Sequence, residues 1–512
     1  MHRISRREAA LVAAIVVLAA ALRLWGLSGK SFWVDEILAI ERSHNVRQAV
    51  AFCSLSHEPP LRYFLVHHLA RLHPPELFTR LPSFALGVAT VALVWWLARV
   101  LFSPAVGIVA AFLLAVSPWH IVQCQDARMY AVMMFFWALS LILFFRALEK
   151  PAEVLLWPAL AVVHAANFYL SYLTAVVLAA EAVTLVGWLA VRKWRERGAF
   201  ALRPYATGVL IFAGFFGMLV SFWFNPVVSL IERYTGARTA MVRPLVRAVR
   251  ESSLVVGWPA EFDAGFLLGV LDNLLAPGIG WGVAALIGLS AGLSLCWRRN
   301  RPFVWIAVLS FFLSMVTILF TEMRHFVAPR YVFHLLLFFT IAMAVAVVAA
   351  AEAVLARFAA GARRSAAAVL LGALALTAAF RYYPILMLHV RCERQDWRTA
   401  CRWLAEHAKA DDVILTGPWG THPAVLYYGN PDLTERHEII NCLTGDRTIE
   451  EIERSPGAWY IGWGHWPGEL RSLIMDKMER ALALPGLDGT IEVFQRKDRA
   501  KGPPEGPPPV RP

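Results

Sequence analysis

Apolar runs of about twenty residues recur through the first 380 residues of the chain, and no other feature limits the fold so strongly. As a helix rising 1.5 Å per residue, a run of that length crosses a hydrocarbon layer of about 30 Å. The first run is 9–27. Others follow at roughly 82–101, 105–122, 130–148, 154–173, 174–191, 205–224, 279–297, 303–320, 331–355 and 366–380. The sequence therefore predicts a polytopic α-helical membrane protein with about eleven spans. Composition agrees: 58% of the 512 residues are hydrophobic and 17% charged, where a soluble chain carries about a quarter charged.

Basic residues orient the spans. Arg3, Arg6 and Arg7 precede the first run and place the N-terminus in the cytoplasm. A cleaved signal peptide is the competing reading of that run, with Ala19-Ala20-Ala21 as its cleavage site, but the run is long for one. With the N-terminus inside, Arg99, Arg146, Lys150, the 192–197 stretch, 298–301 and 357–364 fall on inner connections. An odd number of spans then leaves the C-terminus outside, in the plasma (inner) membrane. The long basic loop containing Arg233, Arg238, Arg243, Arg247 and Arg250 lies outside, where loop length exempts it from the rule. The net charge of +12 is thus a topology signal, and the sequence predicts no nucleic-acid partner.

After residue 383 the pattern changes to alternating strand-like and helix-like segments. Strands are predicted at 413–416, 438–440, 459–462 and 491–494, with helices at 396–409 and 423–428. The division is a multispanning domain over 1–383, including a first outer loop at 28–80, and a small α/β extracytoplasmic domain over 384–500. A Pro-rich tail at 501–512 reads as disordered. Six Cys without a C-x-x-C pair give no zinc framework. Cys392 paired with Cys401 or Cys442, and free buried thiols, are equally open readings.

The unusual polar residues fall on one side. Asp35, Glu36, His57, Glu58, Arg80, Asp126, Arg128, Tyr130, Glu322, Arg324, His325, Arg330 and Tyr331 all map to the outer ends of spans. Ionisable groups at a membrane boundary are costly and mark sites more often than chance. The stretch Ser31-Phe32-Trp33-Val34-Asp35-Glu36 places adjacent acids among aromatics. A carboxylate there can take a proton from a nucleophile, and Asp35 is the predicted base with Glu36 beside it. Arg80, Arg128, Tyr130, Arg330 and Tyr331 are the candidates to hold a phosphate as it leaves. His57 and Glu58 precede a predicted surface helix and would support the acids or join them around a divalent cation, a cofactor the sequence leaves open. Glu181 lies within a span, without a partner the sequence can name.

These motifs resemble the GT-C class of multispanning glycosyltransferases, which use polyprenyl-phosphate sugars. The nearest branches are the protein O-mannosyltransferases and the bacterial aminoarabinose transferase of lipid A. Similar pieces are Phe32-Trp33-Val34-Asp35-Glu36, His57-Glu58-Pro59-Pro60-Leu61, Arg80-Leu81-Pro82-Ser83 with Gly87, Asp126-Ala127-Arg128-Met129-Tyr130, Pro329-Arg330-Tyr331 and Asp396-Trp397-Arg398. The resemblance implies that Asp35 is the catalytic base, with Glu36, Arg128, Tyr130 and Arg330 near the donor phosphate or the acceptor. It also implies a polyprenyl-phosphate-linked sugar donor and an envelope lipid, glycan or protein acceptor. The chain departs from the family's His-Pro-Pro-Leu-Tyr pattern by an inserted Glu58 and by Arg62 before Tyr63. Inverting transfer at the outer face is the expected activity. A transporter or flippase of a lipid-linked or anionic substrate is the alternative, for which polar groups and broken helices belong at mid-membrane.

Overall fold

The computed structural model describes residues 4–56, 58–196, 200–222, 279–320, 329–358, 362–417, 421–442, 445–463, 468–487 and 489–497. In chain order, α1 (Arg6–Leu24) is followed by three short helices, α2 (Val34–Arg42), α3 (Val46–Ser56) and α4 (Leu61–Leu69). Then come α5 (Pro75–Leu101), α6 (Pro104–Ala115), α7 (Pro118–Cys124), α8 (Tyr130–Glu149), α9 (Leu156–Phe168), α10 (Thr174–Glu196) and α11 (Arg203–Ser221). The bundle continues with α12 (Ile279–Arg299), α13 (Arg301–Phe320), a 3₁₀ turn at Pro329–Val332, α14 (Leu335–Leu355) and α15 (Arg363–Arg391). Every predicted apolar run contains helix. Among the described residues, five helices (α5, α8, α10, α11 and α14) are each long and apolar enough to cross a membrane.

A sixth crossing needs α6 and α7 counted together, because they meet at 63°. The sequence predicts one span there, and Pro118 breaks it: its ring removes a backbone donor and stops α6 from continuing. Ser117 restarts the chain by accepting from the His120 N–H at 3.4 Å. The exposed carbonyls at the end of α6 are met by a fully buried arginine. Arg23 donates to Leu114 O at 3.0 Å and to Ala115 O at 2.9 Å, and contacts His120 Nδ1 at 2.6 Å. The bend carries the chain into the turn that holds Asp126 and Arg128. Elsewhere the bundle packs closely: a Cβ on Gly292 would lie 2.1 Å from the Ala342 carbonyl oxygen, so only glycine lets α12 approach α14 there.

The C-terminal part contains α16 (Trp397–His407), β1 (Val413–Thr416), α17 (Thr421–Gly429), β2 (Glu438–Asn441), α18 (Gly445–Arg454), β3 (Trp459–Trp463), α19 (Gly468–Lys477), β4 (Met478–Gly486) and β5 (Gly489–Arg496). The strands form one sheet in the order β2-β1-β3-β5-β4, with β2, β1 and β3 parallel and β5 antiparallel to both β3 and β4. All four predicted strands are present. β4 is an addition, since Met478-Glu479-Arg480-Ala481-Leu482 is built of helix-forming residues; pairing with β5 outweighs that preference. The six cysteines are all free.

The two parts share a core. Phe32, from the loop after α1, and Val34 and Ile37, from the start of α2, are buried in one cluster with Trp397, Leu404, Ile414 and Ile461 of the C-terminal part. The segment leading into α2 is thus packed as though it belonged to the sheet domain. A boundary drawn at residue 383 therefore divides this core, with Phe32, Val34 and Ile37 on one side and Trp397, Leu404, Ile414 and Ile461 on the other.

Candidate functional site

The site forms at the end of the bundle where α2, the turn after α7, the 3₁₀ turn before α14 and the start of the sheet domain converge. Asp35 lies in the first turn of α2, where helix N–H groups already favour a negative charge. One of its oxygens is shared. Arg128 Nη2 lies 3.4 Å from Asp35 Oδ2 and Arg330 Nη2 lies 3.7 Å from the same atom. Both separations are long for a charge-assisted hydrogen bond, which runs about 2.7–2.9 Å. The Asp35 side chain keeps 26% of its surface exposed. Burial pushes its carboxyl upward, but Arg128, Arg330, Arg394 and Arg62 more than offset that and hold it below its ordinary value.

The aromatics around the arginines complete this wall. The Arg128 guanidinium lies 6.0 Å from the ring centres of Trp33 and Tyr130, and Arg330 lies 5.4 Å from Trp33 and 5.8 Å from Tyr331. Burial raises the Tyr331 hydroxyl above its ordinary value, with Tyr130 adding to the rise. Arg330 Nε is buried with no hydrogen-bond partner among the described residues. Asp35, Arg128, Tyr130, Arg330 and Tyr331 therefore stand together.

Glu36 and Arg80 do not share that arrangement, and the roles expected of them are corrected. Arg80 Nε donates to Glu36 Oε1 at 3.0 Å and Arg80 Nη2 to Glu36 Oε2 at 2.7 Å. The remaining Arg80 donors go to the carbonyls of Leu27, Lys30 and Ser31. A guanidinium has five N–H donors, and these five bonds use them all. Glu36 also accepts from the Ala127 N–H at 2.7 Å and the Trp33 N–H at 3.3 Å. With Glu36 1% and Arg80 3% exposed, neither can meet a substrate. Burial raises the Glu36 carboxyl, against the pull of Arg80 and the Ala127 N–H. The pair is a buried strut that ties the loop after α1 to α5 and to the turn before Arg128.

Glu58 is engaged as well. Arg62 Nη2 donates to it at 2.9 Å and the Tyr63 hydroxyl at 2.5 Å. The inserted acid and the added arginine that set this chain apart from the family pattern are thus partners. The role expected for Glu58 at a cation has no support in this geometry, and no three His, Cys, Asp or Glu side chains converge among the described residues. His57, Glu322, Arg324 and His325 lie outside the described residues. Glu181 acquires the partners that the sequence could not name: His164 Nε2 at 2.8 Å and Ser140 Oγ at 3.0 Å, both buried inside the bundle.

Sequence reasoning missed Arg394 and Gln395, and placed Asp126 among the outer polar residues without assigning it a role. Asp126 accepts from the Trp33 indole at 3.1 Å, the Arg128 N–H at 3.0 Å and Arg394 Nη1 at 2.9 Å. The available signal was the dense polar run Glu393-Arg394-Gln395-Asp396 directly after the last apolar helix.

Residues 57–223 match the family model described as dolichyl-phosphate-mannose-protein mannosyltransferase. The fold is similar to that of ArnT from Cupriavidus metallidurans, solved bound to undecaprenyl phosphate. That match has a TM-score of 0.53 and 14% identity, covering 96% of this chain and 99% of the other. AglB from Archaeoglobus fulgidus, an archaeal oligosaccharyltransferase solved with an inhibitory peptide and a dolichol-phosphate, matches with a TM-score of 0.52. Its identity is 11%, over 90% of this chain and 69% of AglB. No curated protein sequence matches the chain. The resemblance to GT-C glycosyltransferases therefore holds, through the family model in the first half and through the fold across the chain.

Proposed function

We propose that this protein transfers a sugar from a polyprenyl-phosphate carrier to an acceptor at the outer face of the membrane, with inversion at the anomeric carbon. The observation that carries this reading is the single Asp35 oxygen faced by both Arg128 and Arg330, with Arg330 Nε lacking an acceptor among the described residues. A base and two cations around a partly exposed position suit a reaction in which a proton leaves one reactant and negative charge gathers on another.

Asp35 takes the proton from the acceptor hydroxyl or amine as that atom attacks the anomeric carbon. The bond from that carbon to the phosphate oxygen breaks, and its electron pair stays on the phosphate. Arg128 and Arg330 meet the developing charge, with Tyr130 and Tyr331 alongside. Eleven crossings, an inner N-terminus and an outer C-terminal domain belong to this proposal. The bound polyprenyl phosphates of ArnT and AglB support a lipid-phosphate donor.

A transporter or flippase is the second reading, supported by the bent α6–α7 pair and the buried Glu181–His164 contact. One assay separates the two. Reconstituted protein is given a labelled polyprenyl-phosphate sugar, and released lipid phosphate and glycosylated product are followed. Wild-type turnover that disappears in Asp35→Asn, with protein yield unchanged, supports transfer. Turnover that survives the substitution overturns the assignment of the base, and labelled donor crossing the bilayer intact favours the transporter.

A further inference from the structure

We infer that Gln395 and Arg394 of the C-terminal domain are positioning residues for the reacting centre, one fixing the turn that carries Asp35 and the other fixing Asp126 between Trp33 and Arg128. The inference rests on the reading of Asp35 as base and extends it, since it makes the sheet domain part of the centre itself.

The first N–H groups of any helix lack partners within the helix. In α2 the Val34 N–H, one residue before Asp35, donates to Gln395 Oε1 at 2.9 Å across 361 residues of sequence. The same oxygen accepts from the Trp397 indole at 2.9 Å, and the Gln395 carbonyl accepts from Ser31 Oγ at 2.7 Å. Gln395 is 1% exposed, so water cannot replace it at the helix start. Its side chain therefore holds the Asp35 turn from one side while the strut between Glu36 and Arg80 holds it from the other.

Arg394 acts on the neighbouring network. It donates to Asp126 Oδ2 at 2.9 Å and lies 3.6 Å from the centre of the Trp33 ring. Asp126 spends its other oxygen on the Trp33 indole and the Arg128 N–H. One carboxylate thus links the segment before the base to the backbone of a phosphate-side arginine, and Arg394 is its counter-ion. Reacting groups displaced by about 1 Å can lose about a hundredfold in rate, so supports of this kind are felt in turnover.

The test uses full-length protein in nanodiscs and two readouts. The first is amide hydrogen exchange. Gln395→Leu removes the acceptor and should speed exchange at residues 34–37 relative to α8, while Gln395→Glu, which keeps an acceptor oxygen, restores protection. Unchanged exchange in Gln395→Leu overturns the inference whether or not sugar transfer is detected. The second is kinetic. Arg394→Met should lower kcat about tenfold to a hundredfold with donor KM within about twofold. The acid limb of its pH profile should move upward, because Asp35 loses one of the four cations that hold its carboxyl down and keeps Arg128, Arg330 and Arg62. Arg394→Lys should bring the limb back. A loss of kcat with no movement of the limb, or equal losses in the Met and Lys variants, overturns the role of Arg394. Changed exchange in Gln395→Leu beside a wild type that transfers no sugar would instead overturn the proposed function and leave the link between domains standing.

Discussion

Asp35 and Glu36 are neighbours, both in the first turn of one helix and both facing arginine, yet they do opposite things. Glu36 is fork-bonded to Arg80, fully engaged and sealed from solvent. Asp35 is about a quarter exposed and shares one oxygen between two arginines at 3.4 and 3.7 Å. Successive helix residues point about 100° apart, so one acid faces Arg80 of α5 and the other faces Arg128 and Arg330. Satisfied and buried charge builds structure, whereas loosely held charge is left available for a ligand.

Exchanging the acids for their amides should separate them most clearly. Asp35→Asn should reduce turnover by about 10²–10⁴-fold while lowering the thermal unfolding temperature in detergent only slightly. Glu36→Gln should act chiefly on stability, costing about 3–5 kcal/mol by leaving Arg80 buried without its counter-charge. If Glu36→Gln melted like wild type and lost only activity, the contrast would collapse. The arginines provide the next test. Arg330→Lys keeps the charge but not the planar fork, and should weaken lipid phosphate binding about tenfold, or about 1.4 kcal/mol, by direct titration. Arg80→Lys should leave that affinity alone.

The smallest effects are in pH. The Asp35 carboxyl lies below its ordinary 3.8, so its stabilising contribution is in place above that pH and is lost as pH falls through the lower folded value. Lys30, in the loop that Arg80 pins, is shifted in the same direction by a different cause: burial lowers it from 10.5 to about 8, with Glu393 opposing and Arg80 adding. The folded chain then holds fewer protons than the unfolded one between those values, so stability should rise as pH climbs from about 8 to 10.5. Lys30→Met should flatten that rise in melting temperature.

Much of this was legible in advance. Apolar length located a helix at every predicted span, and the 2-residue and 3.6-residue periodicities located four strands and two helices of the C-terminal part. Asp35, Arg128, Tyr130, Arg330 and Tyr331 were marked as expensive charges and hydroxyls at span ends. The bend at Pro118 was overlooked because hydropathy averages over a single proline. β4 was overlooked because its residues prefer helix, and only β5 gives them a partner.

The sequence by itself determined the helical membrane-type architecture, the sheet domain and the residue types gathered around Asp35, because length, periodicity and charge are local properties that any segment carries with it. Which of two adjacent acids is buried, where all five donors of Arg80 go, and that Gln395 completes a helix start 361 residues away were decided only by the tertiary structure. Hydrogen-bond satisfaction belongs to pairs of groups, and pairs exist only once the chain has folded.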